Sequence, residues 1–292
     1  MKKLFITLGA ISIMGIAPLL ATATPQSDLQ EFRTFYYKKF PGLKLQDYAN
    51  GLYALDKTRR FEWEASEEFP PYEDAVEIGK NLFNKYGLKN CFKKGGIGIK
   101  QNYPYFDKKT GKVRTLEKDI MACLKKNGID TKKEKLKYKK GKFAAISAYM
   151  AYTSRGNKIN VVIPDDKRAL AAYEAGKRFF YAKRGQLNFS CANCHVDSVG
   201  MMVRGNLLGP ALGQTSHWPA WRKKWAKKAA KKRGGESKPL DGLGTLQRRY
   251  GGCNKNIRAK PLKAQSVGYS DLEYFHTYMS NGIKLNGPAV RQ

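Results

Sequence analysis

Cys191-Ala192-Asn193-Cys194-His195 is the stretch that decides how this chain is read. Cys-x-x-Cys-His is the attachment signature of c-type haem. Two thiols about one helical turn apart can each add to one haem vinyl group, and the adjacent imidazole reaches the iron as its proximal axial ligand. A redox Cys-x-x-Cys or half of a zinc site shares part of the pattern, but neither requires a histidine directly after the second cysteine.

The chain begins as an exported one. Lys2 and Lys3 form a positive start, Leu4 to Leu20 is an apolar core, and Ala21-Thr22-Ala23 is a small-x-small cleavage site. Residues 1–23 therefore read as a secretory signal, cut after Ala23. The competing reading is a membrane anchor, for which the segment is barely long enough. In a bacterium, export means the periplasm, where c-type haem is attached and disulfides persist.

About 270 residues remain after cleavage, enough for one large domain or two ordinary ones. The net charge is +31, and about +29 (31 − 2) once Lys2 and Lys3 are lost. An exported protein does not meet chromosomal DNA, so no nucleic-acid partner is expected. The charge fits an acidic protein partner, an anionic substrate, an anionic membrane surface, or solubility alone. Lysine is densest between Trp218 and Arg233. Lys223, Lys227 and Lys231 recur every four residues, as do Lys224, Lys228 and Lys232, and Trp221, Trp225 and Ala229. This spacing predicts a short helix with a lysine face and a tryptophan edge, stopped by Gly234-Gly235. It is either a docking surface for an acidic partner or a solvated insertion whose tryptophans pack on the domain.

The chain also repeats itself in order at three stations. Glu77-Ile78-Gly79-Lys80 with Phe83 matches Glu174-Ala175-Gly176-Lys177 with Phe180. Thr115-Leu116-Glu117, with Cys123 following, matches Thr245-Leu246-Gln247, with Cys253 following. Tyr152-x-Ser154-x-Gly156-x-Lys158-Ile159-Asn160 matches Tyr278-x-Ser280-x-Gly282-x-Lys284-Leu285-Asn286. The expected fold is mainly α: two tandem cytochrome c-like domains related by internal duplication, only the second carrying haem. The expected layout is a signal peptide at 1–23, an N-terminal extension at 24–73, a haem-less domain at 74–165 and a haem-binding domain at 166–292. Helical periodicity runs over Asp74 to Tyr86, Leu116 to Lys126, Phe143 to Thr153, Lys167 to Ala182 and Ser270 to Ser280. Gly95-Gly96 and Leu207 to Gly213 read as loops.

The repeat makes the cysteines interpretable. Cys91 stands where Cys191 stands, but Lys94 and Gly95 replace the second cysteine and the histidine. Two thiols, Cys91 and Cys123, remain in that half, and in an oxidising compartment they are expected to bond to each other. A bond needs their Cα atoms within about 7 Å, so the lost haem pocket must collapse around them. For the sixth iron ligand in the second half, Met201, Met202, His217 and His276 are the ordinary candidates. Cys253 competes, because it repeats Cys123 and is crowded by Arg248, Arg249, Lys255 and Arg258, cations that favour a thiolate. A buried structural cysteine is the other reading.

Arg248-Arg249-Tyr250-Gly251-Gly252-Cys253-Asn254-Lys255-Asn256-Ile257-Arg258 closely resembles the active-site segment of the SoxA family, the larger subunits of SoxAX cytochromes of bacterial thiosulfate oxidation. Gly185-Gln186-Leu187-Asn188-Phe189-Ser190 before the haem motif is similar to that family, as is the ending Asn281-Gly282-x-Lys284-x-Asn286-Gly287-Pro288-x-Val290-Arg291. The missing motif residues at Lys94 and Gly95 resemble the monohaem form, in which a disulfide replaces the first haem. The resemblance implies a sulfurtransferase/oxidoreductase, an L-cysteine S-thiosulfotransferase with one covalent haem c on Cys191 and Cys194. His195 and Cys253 would be its axial iron ligands. It implies conjugation of thiosulfate to a cysteine of SoxY in the SoxYZ carrier. Cys253 would be the reacting sulfur, carried in the family as a persulfide, and Arg249 the substrate-binding arginine. Arg258 is a weaker substrate candidate whose alternative is a salt bridge or a haem propionate partner. Lys255 is expected to be solvated. Implied partners are a SoxX-type cytochrome subunit, with or without a further small subunit, and a small cytochrome c as electron acceptor. Rival classes are a pure electron-transfer cytochrome and a thiosulfate dehydrogenase or sulfur-anion binder that needs no carrier.

Overall fold

The computed structural model describes residues 23–203 and 205–292, so the signal-peptide reading lies outside the described residues except at Ala23. Among the described residues no helix is long and apolar enough to cross a membrane. The chain is mainly helical. In order, α1 is Pro25–Lys39, α2 Lys57–Glu68, α3 Glu73–Lys85, α4 Leu116–Lys126, α5 Lys142–Tyr152, α6 Lys167–Tyr181, α7 Lys223–Arg233, α8 Leu246–Asn256 and α9 Val267–Tyr278. Short strands punctuate them: the hairpin β1 (Tyr105–Asp107) with β2 (Lys112–Arg114), the hairpin β3 (Met202–Val203) with β4 (Asn206–Leu207), and a small sheet. In that sheet β5 (Ala220–Arg222) lies between antiparallel β6 (Leu243–Gly244) and parallel β7 (Ala289–Arg291).

All five periodicity helices form, with small shifts at their ends. α9 starts three residues early because the Ser266 hydroxyl caps its first turn, accepting from the Tyr269 N–H. Two expectations are corrected. Leu207 lies in β4 rather than in a loop. Trp221 is not on the lysine helix: it sits in β5, and the Arg222 N–H donates to the Gly242 carbonyl at 2.7 Å, so the helix begins only at Lys223. Trp221 is thereby buried in the core rather than aligned along the tryptophan edge. The predicted stop holds, with Gly234 left-handed at φ +66°.

Two helix pairs cross with the same geometry. A Cβ on Gly79 of α3 would lie 2.1 Å from the Ala145 carbonyl oxygen of α5, and one on Gly176 of α6 would lie 2.0 Å from the Asp271 carbonyl oxygen of α9. Only glycine allows backbones this close. Behind each crossing a buried polar pair recurs: the Ser147 hydroxyl donates to Glu117 at 2.8 Å, and the Gln247 amide donates to Glu273 at 2.9 Å. The third repeated stations run antiparallel against each other. Gly156 N–H donates to Leu285 O at 2.9 Å, Ile159 N–H to Ile283 O at 2.9 Å and Gly282 N–H to Ile159 O at 2.8 Å.

Among the described residues, the buried side chains fall into three clusters. The larger core joins α1, the 3-10 stretch Leu45–Ala54, α6, α8 and α9 to Phe106 and Val113 of the first hairpin. Residues 24–73, expected as an extension, thus supply part of it: Leu29, Phe32, Tyr36, Tyr48 and Ala49 are buried there. A second core gathers Phe83, Leu88, Ile120, Leu124, Phe143 and Ile146 from α3, α4, α5 and the turn after α3. A third, small one joins Ala75, Ala144 and Ala148 to Trp221, Ala226, Leu243 and Val290.

Candidate functional site

The motif enters through a tight turn. Arg184 and Phe189 exchange backbone hydrogen bonds (3.0 and 3.2 Å), and the Asn188 N–H donates to Gly185 O at 3.0 Å. Ser190 then starts the motif helix. Its hydroxyl accepts from the Asn193 N–H at 3.0 Å, while the Asn193 side-chain oxygen accepts from the Ser190 N–H at 3.0 Å. This reciprocal cap satisfies donors that a helix start leaves open. From Asn193 to Asp197 the backbone widens into a π-helical turn.

The equivalent stretch of the first half is different. Short 3-10 turns cover Leu88–Cys91 and Lys93–Gly96, with Lys94 (φ +51°) and Gly95 (φ +60°) left-handed. No helical turn forms there to present a second thiol and an imidazole. Cys91 and Cys123 are disulfide-bonded, with Cα atoms 5.9 Å apart. A solvent-open cleft of about 730 Å³ remains, lined by Cys91, Phe92, Ile99, Tyr103, Asp119 and Cys123.

The second half gathers its chemistry around Cys253. His195 is held at Nδ1 by the Gly209 carbonyl at 2.8 Å. That bond fixes the ring and leaves Nε2 for a metal. The His195 imidazole is within hydrogen-bonding reach of Cys253. Cys191, Cys194 and Cys253 are free and half-buried. Burial alone would push the Cys253 thiol up. The Arg249 guanidinium, the hydrogen bond and charge of His195, and the Arg222 charge instead bring it down to about 7. The motif thiols go the other way. Burial lifts Cys191 to about 11, against the Arg184 guanidinium whose Nη1 lies 3.8 Å from its sulfur, and burial also raises Cys194. Cys253 is therefore the thiol that the protein holds ready as a thiolate.

The other predicted ligands are elsewhere or engaged. Met201 and Met202 are exposed on the β3 side of their hairpin. His276 spends both ring nitrogens: Tyr250 Oη lies 2.9 Å from Nδ1 and Ala211 O 3.2 Å from Nε2. Burial and the nearby His195 charge push its imidazole down to about 3, which keeps it neutral. His217 is buried, and its Nδ1 has no partner among the described residues. Arg249, four residues before Cys253 on α8, shares that helix face. Arg258 is exposed beyond the end of α8 with φ +56°, and Lys255 is exposed.

Several supports escaped the sequence reading. Tyr36, fully buried on α1, donates to the His195 carbonyl at 2.5 Å and accepts from the Ala211 N–H at 3.0 Å. Lys39 donates to the carbonyls of Val196 (3.1 Å) and Asp197 (2.7 Å), closing the end of the motif helix. The Leu29, Phe32, Tyr36 spacing was the available signal for α1. α8 itself was missed as a helix, because Gly251-Gly252 and three cations mask its periodicity.

These donors fit a covalently attached haem: two thiols and an imidazole on one helical turn, with the imidazole fixed from behind and a lowered thiol facing it. Comparison with known proteins agrees. A family model for the SoxA/TsdA cytochrome c domain matches residues 80–159. The fold and the donor set together define a cytochrome carrying haem c. The chain is 47% identical over 275 residues to the L-cysteine S-thiosulfotransferase subunit SoxA of Chlorobaculum thiosulfatiphilum, covering 92% of this chain and 89% of that one. It is 44% identical to the subunit of the same name from Allochromatium vinosum, covering 96% and 94%. The crystal structure of SoxXA from P. pantotrophus superposes with a TM-score of 0.62 at 28% identity, over 76% of this chain and 79% of that one. This chain belongs to the SoxA family.

Proposed function

We propose that this protein is the haem-bearing subunit of a periplasmic L-cysteine S-thiosulfotransferase, joining thiosulfate oxidatively to a cysteine of the SoxY subunit of a SoxYZ carrier. The net step is R–SH + S₂O₃²⁻ → R–S–S–SO₃⁻ + H⁺ + 2e⁻: one S–S bond forms, the thiol loses its proton and two electrons leave. The observation that carries the reading is the placement of Cys253, which faces the motif imidazole of His195 and shares α8 with Arg249. A thiolate attacks and exchanges sulfur where a thiol does not. The reading includes a persulfide on Cys253 as the resting form that accepts and hands on sulfur.

Arg249 would hold the thiosulfate dianion. A guanidinium presents paired donors to anionic oxygens and keeps its charge when partly buried. Arg222, pushed down to about 9 by burial and by Arg249, adds positive potential to the same spot. Arg258, being exposed, is the weaker contact. When bound, haem c supplies the sink through which the two electrons leave. Cys191 and Cys194 would attach it, and His195 and Cys253 would hold its iron. One haem is expected, because the first half lacks a second thiol and an imidazole at Lys94 and Gly95.

The domain reading belongs with this. Residues 74–165 would be a haem-less cytochrome c-like domain and 166–292 its haem-binding duplicate, with the Cys91–Cys123 bond in place of the first haem. The matched glycine crossings at Gly79 and Gly176 support it, as does the family match to residues 80–159. A SoxX-type partner is supported by the SoxXA neighbour. A further small subunit and a small cytochrome c acceptor complete the proposal.

The test is Cys253→Ala in protein exported by a host that matures c-type haem. Haem should stay attached while conjugation of thiosulfate to SoxYZ is lost. Full conjugation by that variant would leave a plain electron carrier as the better reading.

A further inference from the structure

The lysine helix α7 has no part in the chemistry above. Its six lysines are exposed. Arg233 at its end pairs with Asp241, and Lys223 Nζ donates to the Ser66 hydroxyl at 3.0 Å. Among the described residues, Lys224, Lys227, Lys228, Lys231 and Lys232 have no carboxylate within ion-pair distance. Lysines four apart repel, and the first turn holds no acidic residue and no side-chain cap. Carboxylates brought against this face would relieve the repulsion.

The helix is also fixed in place, and at a telling end. Trp225 packs between Arg222 (5.1 Å) and Arg248 (3.8 Å). A Cβ on Gly244 would lie 2.4 Å from the Trp225 ring, so this glycine lets the ring seat. Ala226 is buried against the third core. Arg222, the residue that opens α7, lies close enough to Arg249 and Cys253 to feel their charges, so the anchored end of α7 adjoins the Cys253 site. The apolar residues Trp225 and Ala226 turn inward, unlike the outward apolar face that a helix lying on a membrane needs.

We propose that α7 is the docking surface for the protein that presents the acceptor thiol, engaged through a carboxylate-rich face beside that thiol. The inference rests on the reading that Cys253 passes sulfur to a protein-borne cysteine. Charges at the rim of such a contact act chiefly on encounter rate and salt dependence.

The experiment uses haem-loaded protein with its cytochrome partner and SoxYZ as probe. Lys224, Lys227, Lys228, Lys231 and Lys232 are changed together to Gln, and a control variant changes Lys89, Lys93, Lys94, Lys125 and Lys126, exposed lysines of the disulfide-bonded half. At about 50 mM salt the α7 variant should raise KM for SoxYZ and its dissociation constant about tenfold, with kcat unchanged and the difference fading toward about 500 mM as screening tightens. The control should change both by less than about twofold. Equal affinity in wild type and α7 variant, or an equal loss in the control, overturns the inference. So does α7-dependent binding of phosphatidylglycerol vesicles with SoxYZ affinity unchanged, which assigns the helix to a membrane. Binding of SoxYZ is titrated without thiosulfate, so α7-dependent binding without turnover upholds the docking surface and refutes the proposed reaction instead.

Discussion

Gly185 sets how closely the haem motif approaches the helix that bears Cys253. It has φ +72°, and a Cβ there would lie 2.2 Å from the Ile257 carbonyl oxygen and 2.8 Å from the Ala259 nitrogen. Reaching even a tight 3.0 Å contact requires the Ile257 carbonyl to retreat by 0.8 Å (3.0 − 2.2). The Ile257 N–H donates to the Cys253 carbonyl at 3.3 Å, so the shift is passed to Cys253. In Gly185→Ala the left-handed backbone costs about 1–2 kcal/mol. Displacing packed backbone costs about 1–3 kcal/mol more. Reduced freedom of the unfolded chain returns about 0.4–1 kcal/mol. The net is about 2–4 kcal/mol, a fall in Tm of roughly 5–15 °C for a chain of this size. Gly156→Ala is the comparison: φ is +81°, but no atom lies within 4 Å of its Cβ position. It should lose only the strain, about 1 kcal/mol and roughly 2–4 °C. Melting of the haem-loaded proteins is followed by circular dichroism, and thiosulfate conjugation is assayed beside it. Equal losses of Tm in the two variants would refute the argument that this close approach positions Cys253.

Two further outcomes follow from the same coordinates. Cys91→Ser with Cys123→Ser opens a loop spanning 32 residues. Chain entropy then costs about 3–4 kcal/mol, so Tm should fall by roughly 6–15 °C while haem content per chain is unchanged; an unaltered Tm would show that the bond constrains little. Glu273 is pushed up to about 8 by burial and by the Glu117 carboxylate across the junction. A carboxyl raised in the folded state favours folding below its ordinary range and loses that contribution as pH rises toward the folded value. Wild-type Tm should therefore decline between about pH 4.5 and 8, and Glu273→Gln should flatten that decline; a slope equal to wild type would remove Glu273 as its source.

The Cys-x-x-Cys-His motif and most of the helices could be read from the chain alone. Cys191, Cys194 and His195 are legible because haem attachment depends on covalent spacing along the chain, which needs no fold to be read. The periodic helices are legible because one face of each is buried, and α5 is apolar on nearly every side. The absence of a second haem motif is equally local, written in Lys94 and Gly95. Tertiary structure alone decided the surroundings of Cys253. Only folding brings α8 against the motif, sets Arg222 of β5 beside Arg249 and lowers that thiol while raising the other two, because burial and charge depend on distance through space. Tyr36 and Lys39 reach the carbonyls of His195, Val196 and Asp197 from more than a hundred residues away in sequence. No local pattern encodes such a contact. The lysine helix divides the same way: its spacing along the chain foretold a charged face, and only the packing of Trp225 on Arg248 decided that this helix is seated against α8.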